Sequence, residues 1–97
     1  EPRRQRTFGE VRHDVVELVA GRPRVQQRLE GLQPTSIAGL KVTGYDRTDG
    51  LRFLLEDGAW ALIRLSGTEP LMRVYTEGRR EDQVRPVLAA CRQMTGV

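Results

Sequence analysis

The sequence predicts an α+β domain: an antiparallel four-stranded sheet with a helix packed against it from near each end of the chain. Three observations carry that expectation. The middle of the chain, from Leu40 to Tyr75, is a series of short runs rich in alternating apolar and polar residues. Turn material, Thr48-Asp49-Gly50 and Asp57-Gly58, separates the first three of those runs. The flanking segments, after Pro23 and after Arg79, instead space their apolar residues as one helical face.

Taken in order, residues 1 to 9 are polar and basic and read as a tail or interdomain linker, with the folded domain running from 10 to 97. Because the chain opens at Glu1-Pro2 without a methionine, it is expected to be a piece of a longer protein. Residues 11 to 20 suit either form: Val15, Val16, Leu18 and Val19 fit a short helix, but the β-branched content and the alternation Val16, Leu18, Ala20 favour an extended segment, which is the expectation. Gly21-Arg22-Pro23 breaks the chain, and Pro23 suits the first helical position before Val25, Leu29 and Leu32. Gly31 to Gly39 reads as loop, with Gln33-Pro34-Thr35-Ser36 as its turn residues.

Four strands follow: Leu40–Asp46, Leu51–Glu56, Ala59–Ile63 and Leu71–Tyr75. The second helix is expected over Arg79–Met94, where Val84, Val87, Leu88, Cys91 and Met94 share one face. Glu81 and Asp82 near its start complement the helix dipole, and Pro86 falls early enough to suit its first turns or else bends it.

With 97 residues, 38% hydrophobic and 30% charged, the chain can bury one modest core. Its apolar runs fall far short of the roughly 20 residues that span a bilayer. No membrane partner and a cytoplasmic location are therefore expected. The single cysteine, Cys91, excludes an internal disulfide and reads as a small core hydrophobe. The single histidine, His13, excludes a histidine-based zinc site, and its neighbour Asp14 reads as surface company rather than a catalytic partner. The formal charge of +3 raises the question of nucleic acid. The arginines, however, are scattered: Arg3, Arg4 and Arg6 in the tail, Arg22, Arg24 and Arg28 on the first helix, Arg79 and Arg80 among acidic residues. None of the aromatic residues forms a recognisable base-stacking pair, so no nucleic-acid partner is expected.

The chemistry concentrates between the third and fourth strands, in Arg64-Leu65-Ser66-Gly67-Thr68-Glu69-Pro70 and Arg73. Two guanidiniums supply charged donor forks, two hydroxyls add single donors, and Gly67 lets backbone N–H groups turn toward the same anion. From residue types alone the segment suits either an oxyanion cradle, with phosphate the leading ligand, or a plain hairpin turn whose arginines face water. No catalytic nucleophile segment and no acidic metal loop is evident; Asp46 to Gly50 is acidic, but its hairpin position favours a turn.

The run Arg-x-Ser-Gly-Thr-Glu-Pro-x-x-Arg-Val-Tyr resembles the phosphate-binding loop in the C-terminal domain of the alpha-D-phosphohexomutases. Asp49-Gly50-Leu51-Arg52-Phe53 and Asp57-Gly58-Ala59-Trp60 resemble that family's preceding hairpin more loosely, and Leu65 replaces the proline of many members. The resemblance implies a TATA-box-binding-protein-like fold with both helices on one face of the sheet, a name that implies no DNA binding. It assigns Arg64, Ser66, Gly67, Thr68 and Arg73 to the non-transferred phosphate of a hexose phosphate. It further implies a phosphoserine and a Mg²⁺ ion on other domains of the same enzyme, a bisphosphate intermediate, and no activity in this piece alone. Phosphoglucomutase or phosphomannomutase is the nearest likeness; the alternatives are a phosphoglucosamine mutase and, from another class, a free-standing basic nucleic-acid-binding module. Glu69 is expected to turn away from the anion, and Trp60 and Tyr75 to pack the sheet.

Overall fold

A computed structural model describes residues 10–18 and 22–96. The proposed linker over 1 to 9, the break at Gly21, and Val19 and Ala20 lie outside the described residues. Six strands and two main helices follow in the order β1 (Glu10–Glu17), α1 (Arg22–Glu30), β2 (Ser36–Ile37), β3 (Leu40–Asp46), β4 (Leu51–Leu55), β5 (Trp60–Leu65), β6 (Leu71–Gly78) and α2 (Glu81–Thr95). A single 3₁₀ turn, Glu56–Gly58, joins β4 to β5.

The α+β architecture holds, but the sheet has six strands rather than four, ordered β1-β6-β5-β4-β3-β2 with every neighbouring pair antiparallel. One addition is the ambiguous first segment. It is extended, and pairs along its whole length with β6, from Glu10 opposite Gly78 to Glu17 opposite Leu71. The other is Ser36–Ile37, inside the expected loop, which turns back on Leu40 and Lys41 and buries Ile37. A two-residue strand has no sequence period to reveal it.

Alternation along β6 defines the two sides of the sheet. Met72, Val74 and Thr76 are buried, whereas Leu71, Arg73, Tyr75 and Glu77 are only partly covered. On the inner side, Phe53, Ala61, Ile63, Met72 and Val74 join Val87, Leu88 and Cys91 of α2 and Val25 and Leu29 of α1 in one cluster. Phe53, Ile63, Met72 and Val74 have essentially no exposure. Burying side chains of this size is worth about 1.5–3 kcal/mol each, so this face is the main source of stability. Thr76, the polar member of the row, donates its hydroxyl to the Trp60 carbonyl at 2.8 Å, which removes the cost of burying it.

The ends of α2 are closed by both backbone and side-chain groups, with no side-chain bond at the N-cap itself. Gln83 and Val84 donate their N–H groups to the Arg80 carbonyl, and the Gln83 side chain accepts from the Arg79 N–H at 3.1 Å. Arg12 of β1 and Arg85 both pair with Glu81. Pro86 has no N–H for the carbonyl of Asp82, yet its ring is exposed and the helix runs on to Thr95, ending at Gly96 in the left-handed conformation. Arg28 donates to the Met94 carbonyl at 2.7 Å, tying α1 to the end of α2. Arg47 does the same for α1, donating to the carbonyls of Leu29 and Leu32 at 3.3 Å. Cationic donors at these C-terminal carbonyls complement the helix dipole.

Two hairpin features place the later site. Asp46 accepts from the Thr48 N–H at 2.9 Å, closing the β3–β4 turn. That backbone bond, the Thr48 hydroxyl and nearby Arg52 hold the Asp46 carboxyl below its ordinary range. Gly50 then brings the turn against β5. It has φ 111°, and a Cβ there would lie 2.6 Å from the Ile63 carbonyl oxygen and 3.3 Å from Arg64 Cα. Gly39 also has positive φ, 83°, but a Cβ there meets nothing within 4 Å.

Cys91 is fully buried, as expected, and burial pushes its thiol up to about 12. His13 and Asp14, by contrast, do not form a pair. Strand alternation sends them to opposite sides, and the His13 ring stacks on its cross-strand partner Tyr75 with centroids 4.4 Å apart.

The glycine contrast gives a test by urea unfolding. Gly50→Ala should lose about 1–3 kcal/mol through strain and contact with β5, and Gly39→Ala, strained but unobstructed, about 1 kcal/mol. Cys91 should resist alkylation at pH 8 in the folded chain and react promptly in denaturant. Because its thiol ionises later when folded than when unfolded, stability should fall as pH rises from about 9 toward 12, and this slope should be absent in Cys91→Ala.

Candidate functional site

β5 and β6 run antiparallel with Trp60 opposite Glu77, Leu62 opposite Tyr75 and Arg64 opposite Arg73. Along β6 these residues alternate with the buried row, and direct pairing puts their β5 partners on the same outer side, where Leu62 is buried. Residues directly opposite one another have Cβ atoms about 4.5–5.5 Å apart. The ladder therefore brings two guanidinium stems together at the end of a hairpin.

The joining loop, residues 66 to 70, is held by its own backbone and by Ser66. The Ser66 N–H donates to the Leu71 carbonyl at 3.0 Å, and the Leu71 N–H to that of Glu69 at 2.7 Å. Ser66 Oγ accepts from the N–H groups of Thr68 and Glu69 at 3.4 and 3.2 Å. The Leu18 N–H donates to the Pro70 carbonyl at 2.7 Å, which anchors the loop exit to the segment after β1. Ser66 still has its own proton to give to a ligand, because both loop bonds use its oxygen as acceptor.

A depression of about 260 Å³ opens between loop and ladder, lined by Arg64, Leu65, Ser66, Gly67, Arg73 and Tyr75. Of the expected site residues, Arg64, Ser66, Gly67 and Arg73 are thus brought together. Thr68 is not in that lining; it is exposed, with its N–H directed to Ser66. Gly67 needs no special backbone here. Its backbone is not left-handed, and a Cβ there meets nothing within 4 Å. Glu69 is exposed and outside the lining, in keeping with a carboxylate kept off an anion site.

Arg64 is exposed, with its Nη2 3.9 Å from Asp49 Oδ1. Arg73 is half-buried and makes no side-chain hydrogen bond or ion pair with the described residues. Such an opposed pair of like charges is unfavourable by itself and attractive to an anion seated between them.

Tyr75 lines the depression instead of only packing the sheet. The strand period carried the signal, since Arg73 and Tyr75 are two apart and share a side. Asp49 had no such signal: its approach to Arg64 depends on how one hairpin lies against the next strand. Trp60 does pack the sheet. Its Nε1 donates to Glu77 at 2.8 Å, and the Arg52 guanidinium sits over its ring at 4.8 Å. Among the described residues no group of three or more His, Cys, Asp or Glu side chains is placed to hold a metal ion. No helix there is long and apolar enough to cross a membrane.

The family model described as phosphoglucomutase/phosphomannomutase, C-terminal domain, matches residues 10–93. Among similar proteins, a probable phosphoglucosamine mutase of Methanothermobacter thermautotrophicus is 51% identical over 37 residues, 38% of this chain and 8% of that protein. A phosphoglucomutase/phosphomannomutase of Thermococcus kodakarensis is 44% identical over 43 residues, 44% of this chain and 9% of its own length. A phosphoglucosamine mutase of Methanococcus aeolicus is 58% identical over 33 residues, 34% of this chain and 7% of its own length. In each case the aligned stretch covers less than a tenth of the relative. The match over residues 10–93 spans most of the chain, which therefore belongs to the family of phosphoglucomutase/phosphomannomutase C-terminal domains.

Proposed function

We propose that this chain is the substrate-phosphate clamp of a phosphohexomutase that interconverts hexose 1-phosphate and hexose 6-phosphate. The observation that carries the reading is the register of Arg64 against Arg73 at the mouth of a depression that also contains Ser66 and Gly67. Two permanent positive charges oppose a dianion, and the Ser66 hydroxyl and loop backbone can fill further lone pairs. Thr68 completes the set if the loop turns its hydroxyl inward when phosphate arrives.

In this reading the chain's own residues at the depression bind and orient the phosphate, and the nucleophile belongs elsewhere in the enzyme. In the parent enzyme the phosphoserine and the Mg²⁺ belong to other domains, which are this domain's partners. Clamping one phosphate here lets the other end of the sugar meet the phosphoserine, in either of two orientations. Enclosure by those domains strengthens the clamp as water leaves. The relatives carry both names, phosphoglucosamine mutase and phosphoglucomutase/phosphomannomutase, so glucosamine stands beside glucose and mannose as the hexose. The family's TATA-box-binding-protein-like arrangement accords with the α+β layering, and its name brings no nucleic acid. Several arginines are engaged as helix caps, ion pairs or ring partners, which supports a phosphate clamp over a nucleic-acid surface.

In the parent enzyme Arg64→Ala and Arg73→Ala should each raise KM for the sugar phosphate about tenfold to a hundredfold, the loss expected for a charge-assisted contact of about 1.5–3 kcal/mol. Unchanged kinetics in both variants would remove the clamp role. The 97-residue chain alone should be inactive. It should show no steep salt-dependent binding to DNA or RNA at low ionic strength; such binding would favour the nucleic-acid reading.

A further inference from the structure

Arg64 borders two adjoining spaces. One is the depression it shares with Ser66, Gly67 and Arg73. The other, of about 440 Å³, lies between α1, β5 and the β3–β4 turn, and Asp49 is on its wall. In the structure the Arg64 guanidinium has Asp49 as its counter-charge, Nη2 to Oδ1 at 3.9 Å. This carboxylate is not placed there by accident of a loose loop. Gly50 seats the turn so closely on β5 that a Cβ would strike the Ile63 carbonyl, Leu51 pairs with Ile63, and Asp46 closes the turn from its other side.

We propose that Asp49 is a positioning residue, the resting counter-ion of Arg64, which takes the guanidinium when the cradle is empty and yields it to an incoming phosphate. The proposal rests on the phosphate-clamp reading. Without a counter-charge, Arg64 and Arg73 face each other across the ladder and repel. Asp49 draws Arg64 toward the hairpin and relieves that repulsion. More than half of each side chain is exposed, 52% for Arg64 and 67% for Asp49, so the pair is weak and readily exchanged. A phosphate dianion brings the greater charge and accepts two donors of the fork, so it wins the guanidinium. On release, Asp49 takes Arg64 back. Carboxylate and phosphate thus compete for one cation, which lowers affinity and speeds departure of the bound phosphate. A clamp that must let go of one end of a bisphosphate and take the other benefits from that competition.

The test is titration of inorganic phosphate into the 97-residue chain, followed by backbone amide shifts, with kinetics on the parent enzyme. Asp49→Asn should bind phosphate about two- to fivefold tighter than wild type, the span of an exposed ion pair. KM and kcat should fall together in the same variant, while Asp49→Glu should restore both. The effect should vanish in an Arg64→Ala background, since Asp49 acts through that guanidinium. Asp49→Ser serves as a second neutral variant if the asparagine lowers the melting temperature. Equal or weaker binding in a folded neutral variant overturns the proposal, as does tightening that persists without Arg64. If wild type and parent enzyme show no phosphate dependence on Arg64 or Arg73 at all, the clamp reading falls first and this proposal with it.

Discussion

Arg64 and Arg73 stand opposite each other because the buried side of the same two strands allows no other register. Ile63 against Val74, Ala61 against Thr76 and Leu65 against Met72 put the inner residues of β5 and β6 together. A slip of one residue would turn those side chains out to solvent. Burial of Ile63, Met72 and Val74 is worth about 1.5–3 kcal/mol apiece, while two like charges across a ladder cost about 0.2–1 kcal/mol. The core wins by a wide margin and holds the cations together as a consequence. The geometry of the candidate site is imposed from the opposite side of the sheet.

The remaining structure serves that ladder. β1 pairs along the whole of β6 and receives the loop exit through Leu18 and Pro70. α2 covers the inner side of β6, and its caps draw on Arg79, Arg80 and Gln83. On the opposite flank, Gly50 presses the β3–β4 turn onto β5 beside Arg64. The hairpin that carries the two arginines is therefore held on both edges, while its loop keeps few contacts beyond its own backbone and Ser66.

Arginine is the commonest charged side chain in this chain, and the structure divides its uses. Arg28 and Arg47 close helix C-termini, Arg12 and Arg85 share Glu81, and Arg52 lies over Trp60. Planar forks suit all of these tasks. Arg73 has no such occupation among the described residues, and Arg64 has a single weak one. Among the described residues, several arginines are thus engaged in holding the fold, while Arg64 and Arg73 stand together at one loop.

The sequence by itself determined the layers, the second helix, the central hairpins and the segment that holds the candidate site, because periodicity and turn residues are local properties. It also put Arg64, Ser66, Gly67 and Arg73 at one loop, since strand–loop–strand connectivity leaves them no distance to separate. The first segment is expected to be extended, but only the tertiary structure decided that it is a strand on β6, because a short β-branched run takes the form its partner offers, and β6 lies more than 50 residues away. The same applies to Ser36–Ile37, to the stack of His13 on Tyr75, and to the approach of Asp49 to Arg64. Each is a contact between residues whose separation in sequence carries no period, so it exists only once neighbouring strands have chosen their register.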